Sequence, residues 1–318
     1  MSFVYKPPTE WIPPDSFPTE KLCQATEIAI DLETRDPGLK ELGPGYIRGD
    51  GEVVGISFAI DGYEDYFPFA HEQGFNFSKK KVIEFTKKIC ATESDKIFHN
   101  SSYDVGWLTR EGVPINGRII DTMVVAPLID ENQYWYSLNA LGREYINEGK
   151  TEGELNAAAE EWGLDPKAEM WRLPSAYVGT YATQDAALTL KLWNHFKILL
   201  EEQNLWNVFD LEMRVLPVIL AMKQKGVRVD TDRAETLKKQ LIKREKDIVQ
   251  QIKDESGVPE LQLWAANSLA KVFDAMNLTY LRTPTGMPSF TKAFLENHSH
   301  PIAQLIREAR EVNKTHST

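Results

Sequence analysis

With 318 residues, 42% of them hydrophobic and 26% charged, the chain has the composition of an ordinary soluble globular protein and room for two domains. Its net charge of −11 argues against a passive nucleic-acid coat, which would be basic overall, but not against an enzyme whose acids hold metal ions. Cys23 and Cys90 stand far apart in no ligand spacing, so neither a disulfide framework nor a cysteine zinc site is expected, and a reducing compartment is the default. No apolar run approaches the roughly 20 residues needed to span a bilayer, and the proline- and acid-rich N-terminus is not a signal peptide.

Residues 1–24 carry Pro7, Pro8, Pro13, Pro14 and Pro18 and read as an extended lead-in without a core of its own. Ile28-Ala29-Ile30-Asp31-Leu32-Glu33-Thr34 is a short apolar run of strand type. Side chains alternate along a strand, so Asp31 and Glu33 point to one side and Leu32 to the other, into a core. A loop rich in Pro and Gly follows over 37–51. Residues 53–60 form a second strand, Asp61-Gly62 a hairpin turn, and 66–69 a third strand. Residues 79–89 have helical spacing, 96–99 is a short strand, 100–110 a helix, 119–122 a strand and 123–129 the start of a helix. The stretch 131–175 reads as mostly helical, with a capping box at Thr151-Glu152-Gly153-Glu154, and 181–200 is a strong helix.

A strand meander followed by alternating strands and helices predicts a mixed sheet with helices packed on it, an α/β domain over 25–202. From 203 to 318 the chain reads as all-helical. A helix over 205–225 is stopped by Gly226, and a second spans 232–255 with Leu237, Leu241, Ile248 and Ile252 on one apolar face. That face needs a cover: the 261–318 segment, a second copy of the chain, or a separate subunit. Lys238, Lys239, Lys243, Arg244 and Lys246 on the same helix form either a solvated face or a phosphate-contacting one. Residues 261–318 read as two short helices around a Thr-Pro-Thr-Gly loop.

The candidate chemistry lies in carboxylates. Asp31 and Glu33 are two like charges on one side of a strand end, costly unless a cation sits between them or one binds a proton. Asp104 stands four residues after Asn100 on one helix face, and Asp185 stands four residues after Tyr181 on another. Taken singly, each has a plainer reading: acids facing water, a surface Asp104 with Asn100 as a cap, and a Tyr181 at the core edge beside a solvated Asp185. Together they are four acids from three segments. Hard oxygen ligands of this kind suit Mg²⁺ or Mn²⁺ rather than zinc, and two such ions about 4 Å apart stabilise the attacking and leaving oxygens of phosphodiester cleavage. The Tyr181 hydroxyl could orient the attacking water beside Glu33.

Ile30-Asp31-Leu32-Glu33-Thr34, His99-Asn100 with Tyr103-Asp104, and Tyr181-Ala182 with Asp185-Ala186 resemble the three motifs of the 3′–5′ exonuclease superfamily that uses four acids and a tyrosine. Asp121-Thr122-Met123 and Ser137-Leu138 with Ala140-Leu141 are similar to segments usual between the second and third motifs. The resemblance covers roughly 25–200. It implies a ribonuclease H-like fold with a mixed five-stranded sheet, and hydrolysis from a 3′ end to nucleoside monophosphates. It also implies two Mg²⁺ or Mn²⁺ ions, with Asp31, Glu33 and Asp185 on the first, Asp31 bridging to the second, and Asp104 holding the second partly through water. Asp121 is assigned a structural role. Leu32, Thr34, Asn100, Tyr103 and Trp107 are the candidate substrate contacts; Tyr103 and Trp107 could stack on a base, and their plainer reading is core packing.

Residues 209–230, Asn267 to Ala270, Thr283 to Ser289, His300 to Ile302 and Lys314 to Thr318 resemble the exonuclease-to-polymerase segment and the start of the thumb in family A DNA polymerases of the bacterial DNA polymerase I type, from a bacterium or a bacteriophage. No palm or fingers segment occurs, so the expectation is a proofreading exonuclease from a truncated or split polymerase. It should add no nucleotides itself. Its partners would be single-stranded DNA or a frayed primer 3′ end and a palm-and-fingers portion, in the cytoplasm of a bacterial or phage-infected cell and away from membrane. Two other readings share the motifs: a ribonuclease D-like RNA 3′ exonuclease, and a scaffold whose nuclease site has decayed.

Overall fold

The computed structural model describes residues 9–317, folded as two compact units that divide between Gly226 and Val227. The expected boundary at 202–203 therefore moves, because the helix that follows it packs Phe209, Met213, Leu216 and Leu220 into the core of the first unit. Residues 1–8 of the expected lead-in, Pro7 and Pro8 among them, lie outside the described residues. The remainder is not an extended arm. Thr9 Oγ1 donates to the Ala176 carbonyl at 2.6 Å. Trp11 packs so closely on Gly179 that a Cβ there would lie 2.0 Å from the ring. Phe17 joins Phe67, Phe77 and Phe85 with ring centroids 4.9–5.6 Å away, and Thr19–Gln24 forms helix α1. The prolines break regular structure, but the aromatic residues between them supply the apolar surface that docks the segment.

Strand β1 (Glu27–Arg35) is followed by two single-turn helices, α2 (Leu39–Leu42) and α3 (Gly45–Arg48), where a plain loop was expected. Arg48 ties them by donating to the Gly43 and Gly38 carbonyls and to Asp36. Next come β2 (Glu52–Ile60), β3 (Tyr63–Pro68), α4 (Lys79–Cys90), β4 (Asp95–Phe98), α5 (Ser101–Arg110), β5 (Ile119–Asp121) and α6 (Thr122–Ile129). Only part of 131–175 is helical: α7 (Leu138–Ile146), α8 (Gly153–Trp162) and one 3₁₀ turn at Met170–Arg172. The expected capping box does not form, since α8 has no side-chain cap and Glu154 instead accepts a hydrogen bond from Thr180 Oγ1 at 2.9 Å. Helix α9 (Ser175–Glu202) starts a turn and a half before its expected position, and α10 (Trp206–Lys225) closes the unit.

The sheet is mixed and five-stranded, in the order β3-β2-β1-β4-β5. The β1–β2 and β2–β3 pairs are antiparallel, and β1–β4 and β4–β5 are parallel. This is the ribonuclease H-like arrangement that the motifs imply. Helix α9 crosses the sheet and buries Val178, Ala182, Ala186, Leu192, Trp193 and Phe196. Its register against β1 is pinned at one end, where Glu27 accepts from Trp193 Nε1 at 2.9 Å and from Lys197 Nζ at 2.7 Å. From that anchor Asp31 lies four strand residues on, about 13 Å. Asp185 lies eight helical residues back from Trp193, about 12 Å. The two acids therefore arrive at the same level. Among the described residues no helix is long and apolar enough to cross a membrane.

The second unit contains α11 (Thr231–Ser256), α12 (Ala266–Ala275), a small hairpin of β6 (Leu281–Arg282) and β7 (Pro288–Ser289), α13 (Lys292–Asn297) and α14 (Pro301–Ser317). Residues 261–318 thus hold three helices and a hairpin rather than two helices. Ile248 and Ile252 are buried in a core with Leu269, Phe273, Phe290, Leu295, Ile302 and Ile306. Within this unit the expected apolar face of α11 is covered only at its C-terminal half; Leu241 is half-buried and Leu237 is 51% exposed.

Beneath β1, the buried Tyr66 hydroxyl fills the space over Gly55, the residue opposite Glu33. Tyr66 is held by His71: the ring Nδ1–H donates to the Leu173 carbonyl at 2.9 Å, so Nε2 accepts from the Tyr66 hydroxyl at 2.9 Å. Burial lowers His71 to about 4. The unfolded chain therefore takes up this proton first as pH falls, and the contribution of neutral His71 is complete above pH 6.5 and lost as the pH drops towards 4. We predict that wild type loses about 2 kcal/mol from this group between pH 7 and 5. His71→Gln, less stable at pH 7, should lose correspondingly less over that interval. Parallel pH slopes for the two proteins in urea unfolding would contradict this.

Candidate active site

Asp31, Glu33 and Asp185 offer carboxylate oxygens that all lie within 4.8 Å of one another. The strand alternation expected for β1 holds through Glu33: Asp31 and Glu33 share a side, while Leu32 is buried in the main core. A register shift between Glu33 and Thr34, beyond which pairing with β2 resumes at Thr34–Val53, places a bulge just past the pair. None of the three acids is a solvated surface group; Glu33 is 6% and Asp185 2% exposed, and Asp31 is half-buried.

Asp104 joins them from α5. It is 5% exposed, and its Oδ1 accepts the Leu32 backbone N–H at 3.1 Å, which places it directly against the strand that carries Asp31 and Glu33. The acceptor is needed there. The parallel pairing of β1 with β4 ends at Ala29–Ile97, so the N–H of Leu32 on that edge has no β4 carbonyl. The orientation of α5 is set by Asp121 at the end of β5. Its Oδ1 accepts from the N–H groups of Asn100 and Met123, each at 2.9 Å, and its Oδ2 accepts from Ser101 N at 2.7 Å and Ser101 Oγ at 2.8 Å. One carboxylate thus serves the N-terminal ends of α5 and α6.

Crowding and burial show in the electrostatics. Burial, reinforced by Asp185 and opposed by Lys150, pushes Asp31 up to about 7. Burial and then Asp31 and Asp185 hold Glu33 well above the usual carboxylate range. Burial and then Asp31 raise Asp104, against the Leu32 N–H. Burial raises Asp185 against Lys150 and Tyr181. The Tyr181 phenol is raised, first by burial and then by Glu33 and Asp185, so it stays protonated and acts as a hydrogen-bonding group.

Lys150 was not foreseen. Its Nζ pairs with Asp185 Oδ2, donates to the Tyr181 hydroxyl at 3.1 Å and stands 5.0 Å over the Tyr181 ring. A lone lysine in a Gly-Lys-Thr loop, 35 residues before its partner, gives no local signal beyond a basic residue near an acidic motif.

The candidate substrate contacts fare unequally. Trp107 is fully buried, edge-on to Tyr46 and Tyr103 at 5.9 and 6.3 Å, so it cannot stack on a base; three residues after Asp104, it faces the same interior. The Leu32 side chain is in the core, and only its N–H serves the site. Asn100 is not on the α5 face with Asp104: it precedes the helix in the left-handed region (φ 70°), exposed, with Oδ1 accepting from Ser102 Oγ. Thr34 and Tyr103 are half-buried, joined hydroxyl to hydroxyl at 2.7 Å, and line a cavity of about 340 Å³ with Asp36, Leu39, Lys40 and Lys167.

The donor set fits a hard divalent cation. Asp185 Oδ1 is buried without a hydrogen-bond partner. Among the described residues no hydrogen bond reaches the side chains of Asp31 or Glu33, and burial together with the neighbouring acids raises their affinity for protons. The donors are all carboxylate oxygens, suited to Mg²⁺ or Mn²⁺.

Residues 18–201 match a family model described as a 3′-5′ exonuclease. A DNA-directed DNA polymerase of Pseudomonas phage M6 is 32% identical over the whole of this chain and 50% of its own length. DNA polymerase I of Treponema pallidum is 26% identical over 70% of this chain and 22% of its own. The chain spans about half the length of the phage relatives it matches. In fold it is similar to the POL domain of Pol1 from M. smegmatis, solved in complex with DNA primer-template and dNTP, with a TM-score of 0.67 at 16% identity over 94% of this chain and 47% of that one.

Asp121→Ala leaves the N–H groups of Asn100, Ser101 and Met123 without their acceptor. We predict a loss of about 3 kcal/mol, the scale of several donors losing one charged acceptor. Urea unfolding of the first unit measures it; a loss below ~1 kcal/mol would show that water or backbone replaces Asp121.

Proposed function

Since the chain belongs to the 3′-5′ exonuclease family of DNA polymerase A, we propose that it hydrolyses DNA from the 3′ end to nucleoside monophosphates, as the proofreading part of a family A polymerase. The observation that carries this reading is the convergence of Asp31, Glu33 and Asp185 within 4.8 Å, with Asp104 hydrogen-bonded to the strand between the first two. Asp31, Glu33 and Asp185 would hold one Mg²⁺ or Mn²⁺, and Asp31 with Asp104 a second. When bound, such ions lower the pKa of water and stabilise charge on the attacking and leaving oxygens. The protein's own part is to supply fixed, desolvated carboxylates and to aim a neutral phenol, Tyr181, into the same space as a water-orienting group.

The substrate end must leave its duplex and unstack, which favours single-stranded or frayed ends. Thr34 and Tyr103, with their cavity, are the remaining candidates for nucleotide contact. The polymerase relatives support DNA over RNA as substrate. Retention of all four acids and the tyrosine in one place supports an active site over a decayed scaffold. In this reading the palm-and-fingers portion, in the same longer chain or as a separate subunit, supplies the primer end, in the cytoplasm of a bacterial or phage-infected cell.

Purified protein with Mg²⁺ or Mn²⁺ should shorten 5′-labelled single-stranded DNA stepwise. Asp31→Ala should abolish this, since it removes a ligand expected on both ions. Degradation that persists in EDTA or in Asp31→Ala would overturn the assignment. Tyr181→Phe, which removes one positioned hydrogen bond and no ligand, should slow cleavage by about 10- to 1,000-fold with Mn²⁺ binding intact. An unchanged rate would make Tyr181 a packing residue.

A further inference from the structure

Lys150 stands where the carboxylate cluster is most crowded. Its side chain is 18% exposed, and its ammonium pairs with Asp185 Oδ2 and donates to Tyr181. The loop that carries it is held from below. Lys150 N–H donates to Asn139 Oδ1 at 2.9 Å, Gln184 Nε2 donates to the Gly149 carbonyl at 3.2 Å, and Gln184 Oε1 accepts Thr151 N–H. Gln184 immediately precedes Asp185, so the backbone on both sides of Lys150 is fastened to the helix turn that presents the acid. The tether is fixed, whereas the four-carbon stem has rotatable bonds to turn about.

We propose that Lys150 is a tethered counter-ion that competes with a divalent cation for Asp185 and swings away when one binds. This rests on the reading of Asp31, Glu33 and Asp185 as metal ligands. An ammonium and a divalent cation both need the Asp185 carboxylate and repel each other, so they cannot share it at low cost. With no cation bound, Lys150 offsets part of the mutual repulsion of the three crowded acids. With a cation bound, its ammonium is released towards solvent. The pairing therefore keeps the acids together without metal and lowers apparent metal affinity.

The test uses the full chain at pH 8.0, where protons compete less for the acids. Mn²⁺ binding is read from the free-ion EPR signal, and Lys150 reactivity from acetylation followed by mass spectrometry. Lys150→Met keeps the stem over the Tyr181 ring and removes the charge. It should tighten Mn²⁺ binding about 10-fold, within the range usual for coupled binding events. Its Tm in EDTA should fall, and the gain in affinity should vanish when Asp185→Asn is added. In the wild type, which needs no variant to fold, Mn²⁺ should raise acetylation of Lys150 several-fold over the EDTA sample. Binding that is unchanged or weaker in Lys150→Met, or acetylation that does not rise with Mn²⁺, overturns the competition while leaving the metal site standing. Wild-type protein that binds no Mn²⁺ dependent on Asp31 overturns the metal reading itself, and this inference with it.

Discussion

Four carboxylates crowded around one strand end, three of them almost fully buried, are a concentration of like charge that a fold does not tolerate without cause. Burial raises the proton affinity of each; neighbouring acids add to this at Asp31, Glu33 and Asp104, whereas at Asp185 Lys150 and Tyr181 oppose it. The surrounding structure holds the acids together against that repulsion. Glu27 locks α9 to β1 through Trp193 and Lys197. Asp121 fixes the start of α5, the Leu32 N–H holds Asp104, and Lys150 opposes the charge of Asp185. These ties come from segments distant in sequence, so the site is a property of the assembled sheet and helices rather than of any one element.

What could be read from the sequence follows from how local the cause is. The shared side of Asp31 and Glu33 follows from strand alternation, and the pairing of Tyr181 with Asp185 from helical spacing; both persist in the fold. That the two pairs meet was legible only through the ordered motifs, because no local rule links residue 31 to residue 185. Lys150 was invisible for that reason: its role is defined by a contact across 35 residues. Trp107 could have been excluded as a stacking platform, since three residues after an inward Asp104 it must face inward as well. The lead-in failed for a different reason. Proline content describes the backbone of this stretch, whereas for residues 9–24 Trp11 and Phe17 decide where it packs, and Gly179 opens the groove that Trp11 fills. The early start of α9 at Ser175 belongs to the same docking, because Gly179 lowers helix propensity there and tertiary contact restores it.

The division of the chain shows the same dependence on contact over composition. The sequence from 203 onward reads as helices separated at Gly226, but nothing in it shows that α10 and α11 belong to different cores. Burial does so: α10 contributes Phe209, Met213, Leu216 and Leu220 to the core of the first unit. Helix α11 buries only Ile248 and Ile252, in the core of the second. Gly226, in the left-handed region at φ 66°, provides the stop between them.

The place of the site traces to a mismatch in strand length. Strand β1 has nine residues and its parallel neighbour β4 has four. Pairing between them ends at Ala29, two residues before Asp31. Beyond that point β1 has a partner on one edge only, and the other edge opens a notch at the carboxyl end of a parallel pair, where ligand sites of α/β sheets lie. Were β4 two residues longer, its carbonyl would take the Leu32 N–H and α5 would begin too far along to bring Asp104 to the strand. The strand ends where it does because Asn100 turns into the left-handed region, which asparagine tolerates better than most residues. Asp121 receives the backbone N–H groups that this turn exposes. A strand stop, a cap and a buried carboxylate are therefore one structural event: the short β4 opens the edge, Asp121 stabilises the turn, and Asp104 fills the notch.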